Sequence, residues 1–550
     1  MCGIFAYLNN EMDNNSLEEM FQHGKNRGPE QSIFKQVNTK LFLGFHRLAI
    51  NGLNVESSQP IHYNNYTLIA NGEIFNYKSL VERHQFVMNT QSDCEVILHM
   101  YEKFGCESFK YLNGEFSFLL CDGNKVIICR DTFGIRPLYI NQSNKGIFFS
   151  SVLKGVMHED LSINDIYSFT PGTYSVYEYK NNNYIFQSNT CYRNVYEYRP
   201  LNMSKSEMMK ESYSLLKESI IRRIETSERD LCCLLSGGLD SSIVSAISSE
   251  YYKSIGKKLH TFSIGLEHSE DLIYARILAK HIDSEHHEVI CSEQTFIDSI
   301  PYVIKDVESY DTTTIRASVG NWLIGKHISE NTDFKVVLNG DGADELMGGY
   351  LYFNSCPSQS EFHDECVRLL KNIHYFDVLR SERSISSHGL ESRTPFLDIA
   401  FVEHYLSIPI HYRKGSCEKE FIREAIQENN VNLLPFNILW RKKEAFSDGV
   451  SGQQRAWFQI IHESLHQHDL NENDEFTKEQ FYYRNVFNNE YSDCFHLIPY
   501  YWMPKYSSTS DPSARTLSIY QRNILYEYFY FFKHFISRYA IYLYRKFIVR

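Results

Sequence analysis

Two kinds of sheet in two successive domains are what this sequence predicts. Residues 1–195 read as an antiparallel, sheet-rich α+β domain. Residues 205–520 read as an α/β domain built on a parallel sheet, and residues 521–550 as an aromatic, basic extension. Three observations carry that expectation. Up to about residue 190, short strand-like segments are separated by turn residues. From Asp230 onward, apolar runs of strand length alternate with segments of helical period. Finally, 550 residues exceed what one hydrophobic core can organise, and the usual scaling gives about two to four domains.

In the first half the strand signals are YTLIANGEIFNY, FSFLLCDGNKVIICRD and TYSVYEYKNNNYIFQ. Asp122-Gly123 and the run Asn181 to Asn183 mark turns, because Asn, Asp and Gly tolerate the positive φ that tight hairpins require. A polar helical stretch begins near Ser204. DLCCLL then precedes SIVSAISSEYY, LHTFSIGL precedes DLIYARILAKHI, and KVVLNG precedes another loop. Such alternation predicts parallel strands covered on both faces, with ligands at their carboxyl ends. The chemistry is therefore expected in SGGLDSS and GDGADE.

Composition narrows the function classes. A formal charge of −13 argues against a nucleic-acid binder, which needs a clustered basic footprint. The 13 cysteines are odd in number and lack zinc spacing, which points to reduced thiols and a cytoplasmic location. The start MCGIFAYLNNEMDNN has neither a basic n-region nor a long apolar core, so no signal peptide is expected. The tail LYEYFYFFKHFISRYAIYLYRKFIV is interrupted too often by Lys533, His534 and Arg538 for a bilayer core.

In LLSGGLDSS, Gly237 and Gly238 let the backbone approach phosphate oxygens, and Ser236, Ser241 and Ser242 add hydroxyl donors at a helix start. The Gly-Lys-Ser/Thr ending of a Walker loop is missing, so phosphate is handled differently. SGGLDSS resembles the pyrophosphate-binding loop of the ATP pyrophosphatases, which cleave ATP between the α and β phosphates. NGDGADELMGGY crowds Asp341, Asp344 and Glu345 after a strand. Asp240 with Asp344 forms a pair suited to Mg2+ carried on phosphates.

The segments MCGIF, NRGPE, FHRLAI, NGEIFNY and SDCEVIL resemble, in order and spacing, the class II (N-terminal nucleophile) glutamine amidotransferases. The resemblance implies that Met1 is removed and that Cys2 becomes nucleophile and, through its amine, base. It implies a glutamine site of Arg47, Leu48, Ala49, Ile50 and Asn51, with Arg47 on the substrate carboxylate. Asn71 and Gly72 would form the oxyanion hole, and Glu73 and Asp93 would surround the ammonium group. Taken alone, Asn71-Gly72 also reads as a hairpin turn.

Together with VESYDTTTIRAS, LESRTPFLD, EKEFIREAI, WRKKEAFSDGV and WMPKYSSTSDPSARTL, these motifs resemble the glutamine-hydrolysing asparagine synthetase family to about Tyr520. The implied reaction consumes L-aspartate, ATP and L-glutamine and yields L-asparagine, L-glutamate, AMP and pyrophosphate. The resemblance assigns Lys443 to charge on the α-phosphate, with Lys442 as a decoy. Leu235, Ile264, Asn339 and Gly340 fall to the adenosine, and Thr313, Thr314, Arg316, Asp377 and Arg380 to the aspartate side. A homodimer stays open.

There are departures from the family. Asp341 stands where it usually has Glu, a carboxylate credited with proton acceptance. One lost methylene withdraws the charge by about 1.5 Å, and misplacement of that order costs about a hundredfold in rate. Glu30 stands for Asp and Val152 for Glu, changes expected to loosen communication between the sites. In the extension, Arg522, Lys533, Arg538, Arg545, Lys546 and Arg550 interleave with aromatics, which suits either a helix touching a partner or membrane surface or a packed surface helix. Two other readings remain: an ATP-dependent cyclase resembling β-lactam synthetase, and an inactive glutamine- or ATP-binding relative. HHEVIC is dismissed as a zinc motif, since it lacks the second His of H-E-x-x-H and adjacent strand residues face opposite sides.

Overall fold

A computed structural model describes residues 1–9, 11–452, 454–465, 477–518, 536, 538–543 and 546. Two six-stranded antiparallel sheets form the first half. In one, Gly3–Leu8 runs between Leu41–Arg47 and Gly146–Ser150. In the other, Tyr66–Ile74 runs between Ile61–Tyr63 and Gly114–Cys121. Ile4, Ala6, Leu43 and Phe149 of the first sheet pack against Ile69, Leu119 and Ile128 of the second. Alternation along each strand thus supplies the apolar layer between the sheets.

The turn signals act as their chemistry dictates. Asp122 and Gly123 close the hairpin Gly114–Cys121 to Lys125–Arg130. Asn181 and Asn182 take φ of 51° and 65° between Thr173–Lys180 and Asn183–Cys191. Asn71-Gly72 is a correction: it lies inside the strand Tyr66–Ile74, opposite Ser117 and Phe116, and makes no hairpin. Ile74 and neighbouring residues continue the pairing, so the local turn preference is overridden by the ladder on either side.

The polar stretch after Ser204 is the helix Lys205–Glu225, whose start is fixed by a reciprocal capping box between Ser204 and Glu207. Beyond it lies a five-stranded parallel sheet. Its order is Glu285–Cys291, His260–Leu266, Leu231–Leu234, Val336–Leu338, Glu391–Arg393. Leu239–Ser254 follows the central strand directly, which gives the strand, loop, helix order expected of a phosphate site.

Buried charge joins the two halves. Glu115 is fully buried; its carboxylate meets Arg136 at 3.0 Å and Arg223 at 3.3 Å, and accepts from the Thr394 N–H and hydroxyl at 3.0 and 3.1 Å. Arg136 also donates to the Ser392 carbonyl at 3.1 Å, and Arg27 pairs with Glu382. Two of the departures, Glu30 and Val152, sit in this seam. Glu30 bridges the Ala49 N–H and Arg229, each at 2.9 Å, and Val152 precedes Leu153, whose N–H donates to Glu308 at 2.8 Å.

In the extension, Arg538 lies over the Trp440 ring at 4.1 Å, donates to Ser416 at 3.1 Å and pairs with Glu420, while Tyr542 is buried against Phe436. Lys546 donates to the Tyr542 hydroxyl at 3.3 Å. Arg538 and Tyr542 therefore pack on the parallel-sheet domain, while Ile536 and Ile541 are exposed; Arg522, Lys533, Arg545 and Arg550 lie outside the described residues. No described helix is long and apolar enough to cross a membrane, and all 13 cysteines are free.

Removing one member of a buried ion network strands its partners in low dielectric, at about 3–5 kcal/mol. Glu115→Ala is expected to destabilise the chain by that amount in denaturant unfolding. A loss below about 1 kcal/mol, the worth of an exposed pair, would contradict the role given to this seam.

Candidate active sites

The first site forms where the two antiparallel sheets meet the second domain. Cys2 immediately precedes Gly3–Leu8, and its thiol donates to the Leu48 carbonyl at 3.5 Å. Asn71 comes from the facing sheet. With its amide oriented to satisfy both atoms, its nitrogen donates to the Cys2 carbonyl at 2.9 Å and its oxygen accepts from Arg27 at 3.2 Å. Gly72 has φ 157°, and a Cβ there would stand 2.2 Å from the Glu115 carbonyl oxygen, so only glycine fits between the strands.

Arg47, at the end of Leu41–Arg47, is buried and donates from one nitrogen to the Gly52 and Asn54 carbonyls at 2.6 and 2.9 Å. Ala49, Ile50 and Asn51 dock on the other domain: Glu228 N–H donates to the Ile50 carbonyl at 3.2 Å and Asn51 donates to Thr226 at 2.8 Å. Asn51 also bonds Glu73. Burial, then the charges of Asp93 and Glu391, push the Glu73 carboxyl well above its ordinary range. Burial likewise pushes Asp93 to about 6, although it accepts from the Ile74 N–H at 2.6 Å. Arg393 stands 3.5 Å from Glu73, so the two acids share their buried spot with one fixed cation.

The amine in this structure belongs to Met1, not to Cys2. Met1 is fully buried and donates to the Leu390 carbonyl at 3.3 Å; burial lowers its amine to about 6. Burial also pushes the Cys2 thiol to about 11, opposed by that neighbouring amine. The thiol therefore needs a base close by to act near neutrality.

The second site is a cavity at the carboxyl ends of the parallel strands. Leu235, Ser236, Gly238, Asp240 and Ser241 line it from the first loop, Ile264 from the adjacent strand, and Asn339, Gly340, Asp341 and Asp344 from the second loop. The loops touch, since a Cβ on Gly340 would stand 2.8 Å from Asp240 Cβ. Gly237, at φ 71°, packs against Tyr274 and Ala275 behind the cavity wall, and Ser242 is fully buried one turn into the helix. Those two residues shape the loop from outside the cavity.

Two lysines neutralise the two carboxylates. Lys419 Nζ reaches Asp240 at 2.6 and 2.7 Å and Asp344 at 2.5 Å; Lys443 Nζ reaches Asp344 at 2.5 Å and Asp240 at 4.0 Å. Burial opposes ionisation of Asp344, but Lys419 and Lys443 outweigh it and hold the carboxyl far below its ordinary range. Lys443 stays protonated for the same reason. Arg441 anchors the lysine segment on Asp271 at 2.9 Å and over the Tyr274 ring at 3.9 Å, while Lys442 also lines the cavity.

Asp341 is held by Arg380 at 2.9 Å, which also bonds Asp377 at 3.1 Å. Thr313 lines the cavity. Thr314 does not reach it with its hydroxyl, which donates to Asp311 at 2.8 Å. Arg316 is committed elsewhere, in a buried pair with Glu479 and with Asp511 at 2.8 Å. Lys419 was missed on sequence: it heads the helix Glu420–Asn429 at φ 58°, and only the fold carries it to the carboxylates. Glu345, whose carboxyl burial and Asp377 push well above the usual range, accepts from the Tyr350 hydroxyl on the same wall.

Comparisons with known proteins cover both domains. A glutamine amidotransferase domain model matches residues 1–214, and an asparagine synthase model matches residues 211–361 and 354–500. The glutamine-hydrolysing asparagine synthetase of Gallus gallus is 39% identical over 95% of this chain and 100% of its own length. Those of Bos taurus and Homo sapiens are each 38% identical over 95% of this chain and 99% of their own lengths. With two domain models matched in succession and full-length relatives above 30% identity, the chain belongs to the glutamine-hydrolysing asparagine synthetase family.

Proposed function

We propose that this chain converts L-aspartate to L-asparagine, using ATP to activate the acid and glutamine to supply the nitrogen. One observation carries the reading: Asp240, Asp344, Lys419 and Lys443 meet in a single cavity at the carboxyl ends of the parallel strands, on a chain whose Cys2 stands beside Asn71. Loss of Met1 would free the Cys2 amine and vacate a buried space facing Leu390.

At the first site the amine takes the thiol proton, and sulfur attacks the glutamine amide carbon. Asn71 and the Gly72 N–H donate to the oxyanion, ammonia leaves, and water hydrolyses the thioester to glutamate. Arg47 holds the substrate carboxylate, and Glu73 and Asp93 hold its ammonium group.

At the second site the aspartate side-chain oxygen attacks the α-phosphorus and pyrophosphate leaves. A carboxylate is a poor electrophile; the mixed anhydride is a good one. Ammonia then attacks the acyl carbon, AMP departs, and Asp341 takes the surplus proton. Lys419 and Lys443 exchange carboxylate oxygens for phosphate oxygens as ATP enters and stabilise the charge that develops there. The two carboxylates fit Mg2+, which is ordinarily held by one or two carboxylates with substrate phosphates, and which would neutralise phosphate charge. All 13 cysteines are free, which supports a reducing compartment such as the cytoplasm as the setting of the reaction.

Cys2→Ala is expected to abolish glutamine-dependent synthesis while ammonia-dependent synthesis stays within about twofold; Asp240→Ala should lower synthesis by about a hundredfold or more and spare glutaminase activity. Parallel glutaminase and pyrophosphate assays check both, and joint loss of the two activities in either variant contradicts the separation of sites. Asp341→Glu restores the longer reach and should raise synthetase turnover about tenfold without changing glutaminase turnover. An unchanged synthetase rate would show that Arg380 already sets the shorter acid correctly.

A further inference from the structure

On the edge of the parallel sheet farthest from the phosphate loops, register assembles a constellation that sequence order hides. His260 opens one strand and Glu285 opens its neighbour; the parallel pairing sets His260 beside Glu285 and Phe262 beside His287. Side chains alternate across a strand, so Glu285 and His287 share a face with His260. His286 turns the other way, to Thr261 at 2.9 Å and Ser263 at 3.2 Å. HHEVIC thus does split its histidines between two faces. The second ligand comes from another strand, which is why the motif looked incomplete.

His260 Nδ1 and His287 Nε2 are 3.1 Å apart, His260 Nε2 lies 3.7 Å from one Glu285 oxygen, and His287 Nε2 lies 3.9 Å from the other. Each residue offers one ligand atom within 4.8 Å of the other two. We propose that His260, His287 and Glu285 bind one divalent transition-metal ion of the zinc class, with water completing its shell.

Geometry favours this. Zn–N bonds of about 2.0–2.1 Å at a tetrahedral angle separate two imidazole nitrogens by about 3.3–3.4 Å, close to the spacing present. The carboxylate needs only a rotamer adjustment, and Glu285 is 54% exposed and free to make it. The rings are already fixed: His287 stacks on Phe262 at 4.5 Å and lies within 6° of parallel to His260, which also meets Phe334 at 4.9 Å.

Ligand type selects the ion. Two imidazoles and one carboxylate suit zinc, nickel, copper or cobalt, whereas Mg2+ demands oxygen ligands and stays with the phosphate cleft. Cys291 shares the face but lies four residues further on, about 13 Å away, so thiolate does not enter the set. The ion sits at the amino ends of the strands and does not compete with ATP at the carboxyl ends.

The test uses the chelator-stripped full chain, titrated with Zn2+ by calorimetry, with X-ray absorption at the zinc edge to identify the ligands. Losing an outer-shell partner alone weakens metal sites about 10–100-fold, so His260→Ala and His287→Ala should each weaken one equivalent by more than about tenfold, with His286→Gln unchanged. The bound ion should show imidazole and oxygen scattering. Glu285→Gln, at an exposed position, carries the test should a histidine variant fail to fold, and weakening there supports the site. Unaltered affinity and stoichiometry in every ligand variant that folds, or sulfur in the shell of the bound ion, would overturn it.

Discussion

Glu115 is a carboxylate without water, and the rest of the molecule is arranged around that fact. It sits on a strand of the first domain, yet its partners Arg223 and Thr394 belong to the second, and Arg136 reaches on to Ser392. A buried charge is tolerable only with its counter-charges in place. The two domains are thereby held in one relative position, with the amino terminus against Leu390 and the segment Ile50-Asn51 against Thr226 and Glu228. That fixed seam is what a shared nitrogen requires, because ammonia released into water is mostly protonated before it can attack an acyl group.

The phosphate cleft answers a different electrostatic problem. Before ATP binds, Asp240 and Asp344 would repel each other and whatever anion approached; Lys419 and Lys443 cancel that field. In the proposed reaction the same lysines follow the phosphates. A site whose charges are balanced both without and with its ligand needs little rearrangement on binding, and preorganisation of that kind is where enzymes gain most. Arg441 and the Arg538 contact over Trp440 brace the chain just ahead of Lys443.

Much of this was legible in the sequence, and the limits are physical. Short-range signals read well: the helical stretch from about Ser204, the asparagine run that starts at 181, and the strand, loop, helix order around SGGLDSS, all set by neighbours within a few residues. Asn71-Gly72 misled because its local preference for a turn is weaker than a ladder on both sides. Arg316 was placed in the aspartate cleft on resemblance, but its guanidinium is spent on Glu479 and Asp511, far along the chain. Lys419 and the partner strand of His287 were invisible for the same reason: the separations that join Lys419 to Asp240, or His260 to His287, are set by topology and not by spacing. For Asp341, only the fold supplied Arg380 as the group that holds it.

The central claim is that one nitrogen passes between two centres inside the protein. The direct measurement supplies amide-15N glutamine together with excess unlabelled ammonium, and follows isotope in asparagine during early turnover. Transfer inside the protein enriches the product far above the isotope ratio of the surrounding ammonium pool. Enrichment equal to that pool would mean that the nitrogen mixes with solvent first, and that the two sites merely share a chain.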